Sequence, residues 1–262
     1  MSELWSTARE AVAALAAADP ALRRCGAAVH RYALAPPLTA AALAAAEHQL
    51  GAALPDELRA FATELAAGGA GPGYGIVPLD RAAAYPVTAP VRAPSTRSAA
   101  VPWTRALPLS HLGCGYLAVA ALDGAARGEI WIDARAIGVV RAIGPGMTAL
   151  YLDWIDRLAH ARWPEPHVPA GACALAAALS GYLARCEVEL GIAAGGLAGP
   201  ALRDALSRLG PGAIEIAAES SLAWFEPGDR VDPCIACARL IEDLAADGLR
   251  RDVVAPGAPP RP

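Results

Sequence analysis

The sequence predicts an α+β fold, on three observations. Two helical segments come first, a block of extended segments joined by Gly- and Asp-containing turns follows, and a further helix closes the block. This grouping differs from the strand–helix alternation of a doubly wound sheet. The predicted architecture is a mixed, mainly antiparallel β-sheet flanked by helices, with a mostly helical C-terminal extension.

The first helix is placed after Ser6, a capping residue, with Val12 and Leu15 on one side and a stop near Asp19-Pro20. Cys25 to Pro37 reads as an extended lead-in. Thr39 is an N-cap, and Leu38 pairs with Leu43 as a hydrophobic staple. Leu43, Ala46 and Leu50 then share one helical face, and Gly51 supplies the stop. Pro55 suits the first position of the next helix, with Asp56 and Glu57 where the dipole favours negative charge. Leu58, Phe61 and Leu65 face inward, and the helix ends at Gly68-Gly69. A glycine-rich loop to Gly75 leads into a short strand around Ile76 to Leu79, and Pro86, Pro90, Pro94 and Pro102 punctuate a surface loop.

Leu107 to Ser110 and Tyr116 to Leu122 are extended. The second is apolar on both faces, which places it centrally in a sheet. Asp123-Gly124 turns into Glu129 to Asp133, where Ile130 and Ile132 point to one face and Glu129, Trp131 and Asp133 to the other. Ile137 to Ile143 is a further strand. Thr148 then caps a helix, stapled by Met147 and Leu152, with Leu150, Trp154 and Leu158 as apolar positions. Beyond Trp163-Pro-Glu-Pro166, helices are expected over Cys173 to Leu190, Pro200 to Leu209 and Cys234 to Ala246, with Ile214 to Phe225 extended. The expected division is a helical segment at 1–24, a core domain at 25–165, an extension at 166–252 and a disordered tail at 253–262.

Composition narrows the function. Hydrophobic residues make up 55% of the 262, yet aromatics only 5%, so the core rests on few large side chains. All 22 basic residues are arginine, set against 26 acidic ones for a net charge of -4. No arginine stripe could track a phosphate backbone, so nucleic acid is not an expected partner. Without lysine there is no Walker A amine, Schiff base or lysine general base. The first residues lack a basic signal-peptide region, and the longest uncharged runs, 106–122 and 168–184, fall short of the roughly 20 apolar residues of a spanning helix. The chain is expected in the cytoplasm, off the membrane.

Several separated motifs carry a family resemblance. Gly26-Ala-Ala-Val-His-Arg-Tyr32, Pro36-Pro-Leu-Thr39, Glu47, Leu50-Gly51, Leu54-Pro55, Leu58-Arg-Ala-Phe61 and Gly68-Gly-Ala-Gly-Pro-Gly-Tyr-Gly75 come first. Leu107-Pro-Leu109, Gly113-Cys-Gly-Tyr116, Gly128-Glu-Ile-Trp-Ile-Asp133 and the Tyr151 to Leu158 helix follow in the same order. Together, over roughly Cys25 to Trp163, they resemble the SUKH superfamily, which includes a yeast cell-wall assembly regulator and many bacterial immunity proteins. The sequence departs from that pattern at Ala66-Ala67, where an asparagine is usual, and at Cys25, where an aromatic is usual. The resemblance implies a non-enzymatic, cofactor-free domain that recognises a protein, above all an immunity protein neutralising a cognate toxin by direct binding. A regulatory scaffold in cell-wall or signalling control is the alternative within the same family.

Three features offer candidate chemistry. Cys234-Ile-Ala-Cys237 follows Asp232-Pro233, which puts Cys234 at a helix N-terminus where a thiolate is stabilised; a zinc or thiol-redox protein is the reading it offers. The βαβ context of a redox site and a second ligand pair are both absent from the order of the chain, so core packing is the expected use. His111 and Cys114 could act as base and nucleophile, or join the distal pair in a three-cysteine, one-histidine zinc site. A tight glycine turn and a buried thiol explain them more simply. Glu129, Trp131 and Asp133, with Asp123 at the preceding turn, form either a solvated face or an acidic patch with an aromatic anchor for a basic partner.

Overall fold

The computed structural model describes residues 2–22, 24, 26–79, 85–86, 101–114, 116–134, 139–160, 174–216, 230 and 232–256. The chain falls into two compact units, Met1–Leu112 with Tyr116–His167, and Gly113–Gly115 with Val168–Arg261. Helices and a sheet of antiparallel pairs bear out the α+β class. The body of the Pro-rich loop (87–100), the boundary at Trp163-Pro166, the segment 217–225 and the last six residues lie outside the described residues.

In the first unit, α1 (Glu3–Ala18), α2 (Ala27–His30), α3 (Ala40–Leu50) and α4 (Asp56–Ala60) precede the sheet, and α5 (Met147–Ala159) follows it. The helix α1 starts earlier than Ser6 because Trp5 continues its inward stripe with Ala8, Val12 and Leu15, all buried. The Ser2 N–H ties this end to Glu64 Oε2 at 2.5 Å. The expected lead-in at Cys25 to Pro37 instead contains α2, which begins after Gly26 in the left-handed region at φ 75°. The α3 helix matches its sequence signals: Thr39 Oγ1 accepts from Ala42 N at 3.2 Å, and Leu43, Ala46 and Leu50 are buried.

From Phe61 to Leu65 the helix after Pro55 widens into a π-helical turn, with Ala66 N–H donating to Phe61 O at 3.0 Å. Phe61, Ala62 and Leu65 are buried through it, and the Arg9 guanidinium donates to Leu65 O. Phe61 then meets Trp5 (5.6 Å, 83°) and Tyr151 (5.1 Å, 62°) edge-on, and Tyr151 reaches Trp154 at 5.2 Å. A handful of interlocked rings is therefore the centre of this core, as the scarcity of aromatics requires.

The sheet runs β1-β2-β3-β4-β5: Tyr85–Pro86, Arg105–Gly113, Tyr116–Ala121, Ile130–Ala134 and Val139–Gly144. Every residue of β3 is buried, as its two apolar faces predicted. Pairing with β4 sets Val119 against Trp131 and Ala118 against Ile132. At the β4–β5 step the register shifts between Ile130 and Trp131, a bulge near the strand's start. Ile76 joins by single bridges to Gly69 and Ser110 rather than as a strand. Thr148 does not cap α5. Gly146 holds that position, and Glu57 Oε2 accepts from Thr148 N at 2.8 Å, so a carboxylate from α4 satisfies the helix start. Tyr151 rather than Leu150 takes the inward place in this helix.

The second unit contains α6 (Ala174–Leu190), α7 (Gly199–Ser207) and α8 (Ile235–Ala245), close to the expected spans. Tyr182 donates to Ala205 O at 2.7 Å, joining α6 to α7. Ile214 forms a parallel bridge with Val254, with Ala255 N–H donating back to Ile214 O at 2.9 Å. The tail expected from Val253 is thus packed through its first residues: Val253 and Ala255 are buried, because two apolar side chains outweigh the Pro- and Gly-rich sequence that follows.

Candidate functional site

The glycine-rich loop is held by main-chain contacts too close for any side chain. A Cβ added to Gly26 would sit 1.8 Å from the Gly73 carbonyl oxygen, and one on Gly69 would sit 2.3 Å from Ala33 O. Gly73 itself faces His111 O at 2.4 Å from its Cβ position. Tyr74 N–H donates to His111 O at 2.9 Å, and Ser110 Oγ donates to Pro72 O at 2.5 Å. The loop is thereby a structural joint between the segment before α3 and strand β2.

Next to it, His30 is buried, and its Nδ1 accepts from Tyr32 N at 3.0 Å. Burial depresses its pKa to about 4 against the opposing pull of Asp19. Tyr32 OH donates to Asp19 Oδ2 at 2.9 Å, and burial and that bond push the phenol's pKa up. His111 is likewise held neutral by burial, with a pKa of about 4, and its ring lies 5.7 Å from that of Tyr74.

The strand face expected to be acidic is divided differently. Asp133 is only 2% exposed, so it adds no charge to an outer surface. Asp123 engages the turn. It accepts from Thr104 Oγ1 (2.6 Å), Thr104 N (2.7 Å) and Arg105 N (3.1 Å). Burial works against its ionisation, but these bonds and the Arg105 charge hold its pKa below the usual carboxylate range. Trp131 is half-buried and packs edge-on against Trp103 at 6.0 Å. Of the four residues, Asp123, Glu129 and Trp131 are half-buried and partly accessible, and only Asp133 is withdrawn from the surface.

The cysteines give the opposite outcome. Gly113 (φ 85°) and Cys114 (φ 52°) are successive left-handed residues that make the tight turn after β2. Cys114 N–H donates to Asp232 O at 2.7 Å, and Cys234 N–H donates to Cys114 Sγ at 3.2 Å. A Cβ on Gly113 would lie 2.5 Å from Cys234 Cα, so this approach requires glycine. Cys234 is the N-cap of α8, and Cys237 sits in its first turn. The Sγ atoms of Cys234 and Cys237 are 3.5 Å apart, and those of Cys114 and Cys237 are 3.9 Å apart. All three sulfurs lie within 4.8 Å of one another, and none is in a disulfide. Cys234 and Cys237 are buried, Cys114 partly so.

The sequence offered these three cysteines together with His111 as a zinc site, and core packing was the expected use instead. The readable signal was a cysteine in a Gly-x-Gly turn plus a C-x-x-C at a helix start; a separation of 120 residues concealed their meeting. His111 is not among the converging ligand atoms.

No family model, curated protein or solved structure matches the chain. Among the described residues, no helix is long and apolar enough to cross a membrane.

Proposed function

We propose that the protein acts by binding another protein, as an immunity protein of the SUKH type that neutralises a bacterial toxin by direct contact. The reading is supported by one observation: two of the separated motifs that carry the resemblance, Gly26–Tyr32 and Gly68–Gly75, meet in one joint. Gly26, from the first motif, abuts Gly73 of the glycine-rich loop, and that loop is bonded to Ser110 and His111 between Leu107-Pro-Leu109 and Gly113-Cys-Gly-Tyr116. Chance matches scattered through a chain have no reason to depend on each other's main chain. Fold likeness does not by itself assign function, so the test must be functional.

The test uses the full chain as bait in its native host, with captured proteins identified by mass spectrometry. A toxin-like partner is expected, bound stoichiometrically when both are purified and rendered harmless when the two are co-expressed. A captured cell-wall or signalling component with no toxic activity would replace this reading by the regulatory one. Recovery of no partner would overturn both.

A further inference from the structure

The geometry points to a mononuclear zinc site formed by Cys114, Cys234 and Cys237. This inference is independent of the protein-binding reading, and it departs from the cofactor-free domain that the family resemblance implies. Thiolates sharing one tetrahedral zinc at about 2.3 Å each stand about 3.8 Å apart. The two recorded Sγ separations are 3.5 and 3.9 Å, and the third falls inside 4.8 Å. Sulfurs this close converge on one ion, whereas a multi-iron cluster spreads its thiolates over different metal atoms.

Ordinary packing of thiols would also allow such contacts, but it leaves two features unexplained. Cys114 occupies a left-handed position that costs a non-glycine residue free energy, and such strain persists where the side chain has a purpose. Its sulfur also accepts a main-chain N–H from Cys234, and the other two thiols sit at the start of α8. Both arrangements favour sulfur in its charged, metal-binding form. Ion entry has a route through Cys114, the partly exposed member. Binding converts three thiols and Zn²⁺ into a tris-thiolate complex with net charge of minus one and releases three protons, so affinity weakens as pH falls. The fourth coordination position is left to water or another neutral donor.

The test takes the reduced, chelator-treated full chain and titrates it with Zn²⁺ against a chromophoric competitor, with Co²⁺ as a spectroscopic stand-in. One ion per chain is expected, with the sulfur-to-cobalt charge-transfer absorption of thiolate coordination. In the unmutated chain, Zn²⁺ should protect Cys114, Cys234 and Cys237 from alkylation while leaving Cys186 as reactive as before. Cys114→Ala should weaken binding by more than about tenfold, and Cys186→Ser should leave it unchanged. Substoichiometric binding, alkylation of Cys114 at the same rate with and without zinc, or isolation of a metal-free Cys234–Cys237 disulfide would each overturn the site. The alkylation result stands even if a cysteine variant fails to fold, and none of these results depends on whether a protein partner is found.

Discussion

Gly26 and Gly51 adopt nearly the same backbone angle, φ 75° and 62°, yet they carry different constraints. Gly51 has only Arg105 Nη2 near its Cβ position, at 3.7 Å, while Gly26 would drive a methyl into the Gly73 carbonyl. Gly51→Ala should therefore cost about 1 kcal/mol, the left-handed penalty alone. Gly26→Ala adds a main-chain collision and should cost at least about 3 kcal/mol, read as the shift in denaturant midpoint. The two buried histidines set the acid response. With folded pKa values of about 4, below the ordinary 6.5, the unfolded chain binds their protons first. Their contribution is complete above pH ~6.5 and is lost as pH falls toward ~4, on the order of 3 kcal/mol for each. Unfolding midpoints measured across that range should fall with acid, and His30→Gln should flatten the slope. The stripe of Trp5 was not legible in the sequence, because Ser6 offered a plausible cap inside the true helix. Only the surrounding rings decide between the two starts.

Individual helices depend on contacts from elsewhere in the chain. The C-terminal carbonyls of α3 at Leu50 and Gly51 accept from Arg105, and Leu54 N–H donates to Glu47 Oε1 at 2.8 Å. The Leu-Gly-x-x-Leu-Pro motif thus has a side chain from β2 as a silent member. The α5 helix relies on Glu57 in the same way. Glu57→Ala should destabilise by about 1 kcal/mol, as loss of an N-terminal cap does, whereas Thr148→Ala should cost less, since its side chain is not the cap. Thermal unfolding of the two variants side by side checks this. Trp5→Ala, which removes the ring packed edge-on against both Phe61 and Tyr151, should cost about 3–5 kcal/mol. Elements with local signals, α3 above all, were readable from the sequence. The π-helical turn was not, since nothing in Phe61-Ala-Thr-Glu-Leu65 differs from ordinary helical composition.

For the molecule as a whole, the α+β class followed from the grouping of helical and extended segments, and that grouping survives local shifts of several residues. The candidate site followed only in part from local pattern: the C-x-x-C at a helix start was readable, but the approach of Cys114, 120 residues from Cys234, was not. An ion bound only by the folded chain stabilises it by mass action: zinc at about a hundred times its dissociation constant adds about 2.7 kcal/mol. Unfolding of the reduced chain should move to higher temperature when zinc is added, and Cys237→Ala should abolish the shift.

The placement of the turn at Gly113–Gly115 with the residues after Val168 has a consequence for any attempt to take the protein apart. No single cut yields both units intact. A fragment starting at Val168 keeps Cys234 and Cys237 but loses the sulfur that receives the Cys234 N–H. A fragment ending before it keeps a strained cysteine with nothing to hold. Expression of either part alone is therefore a poor guide to what it does in the whole chain.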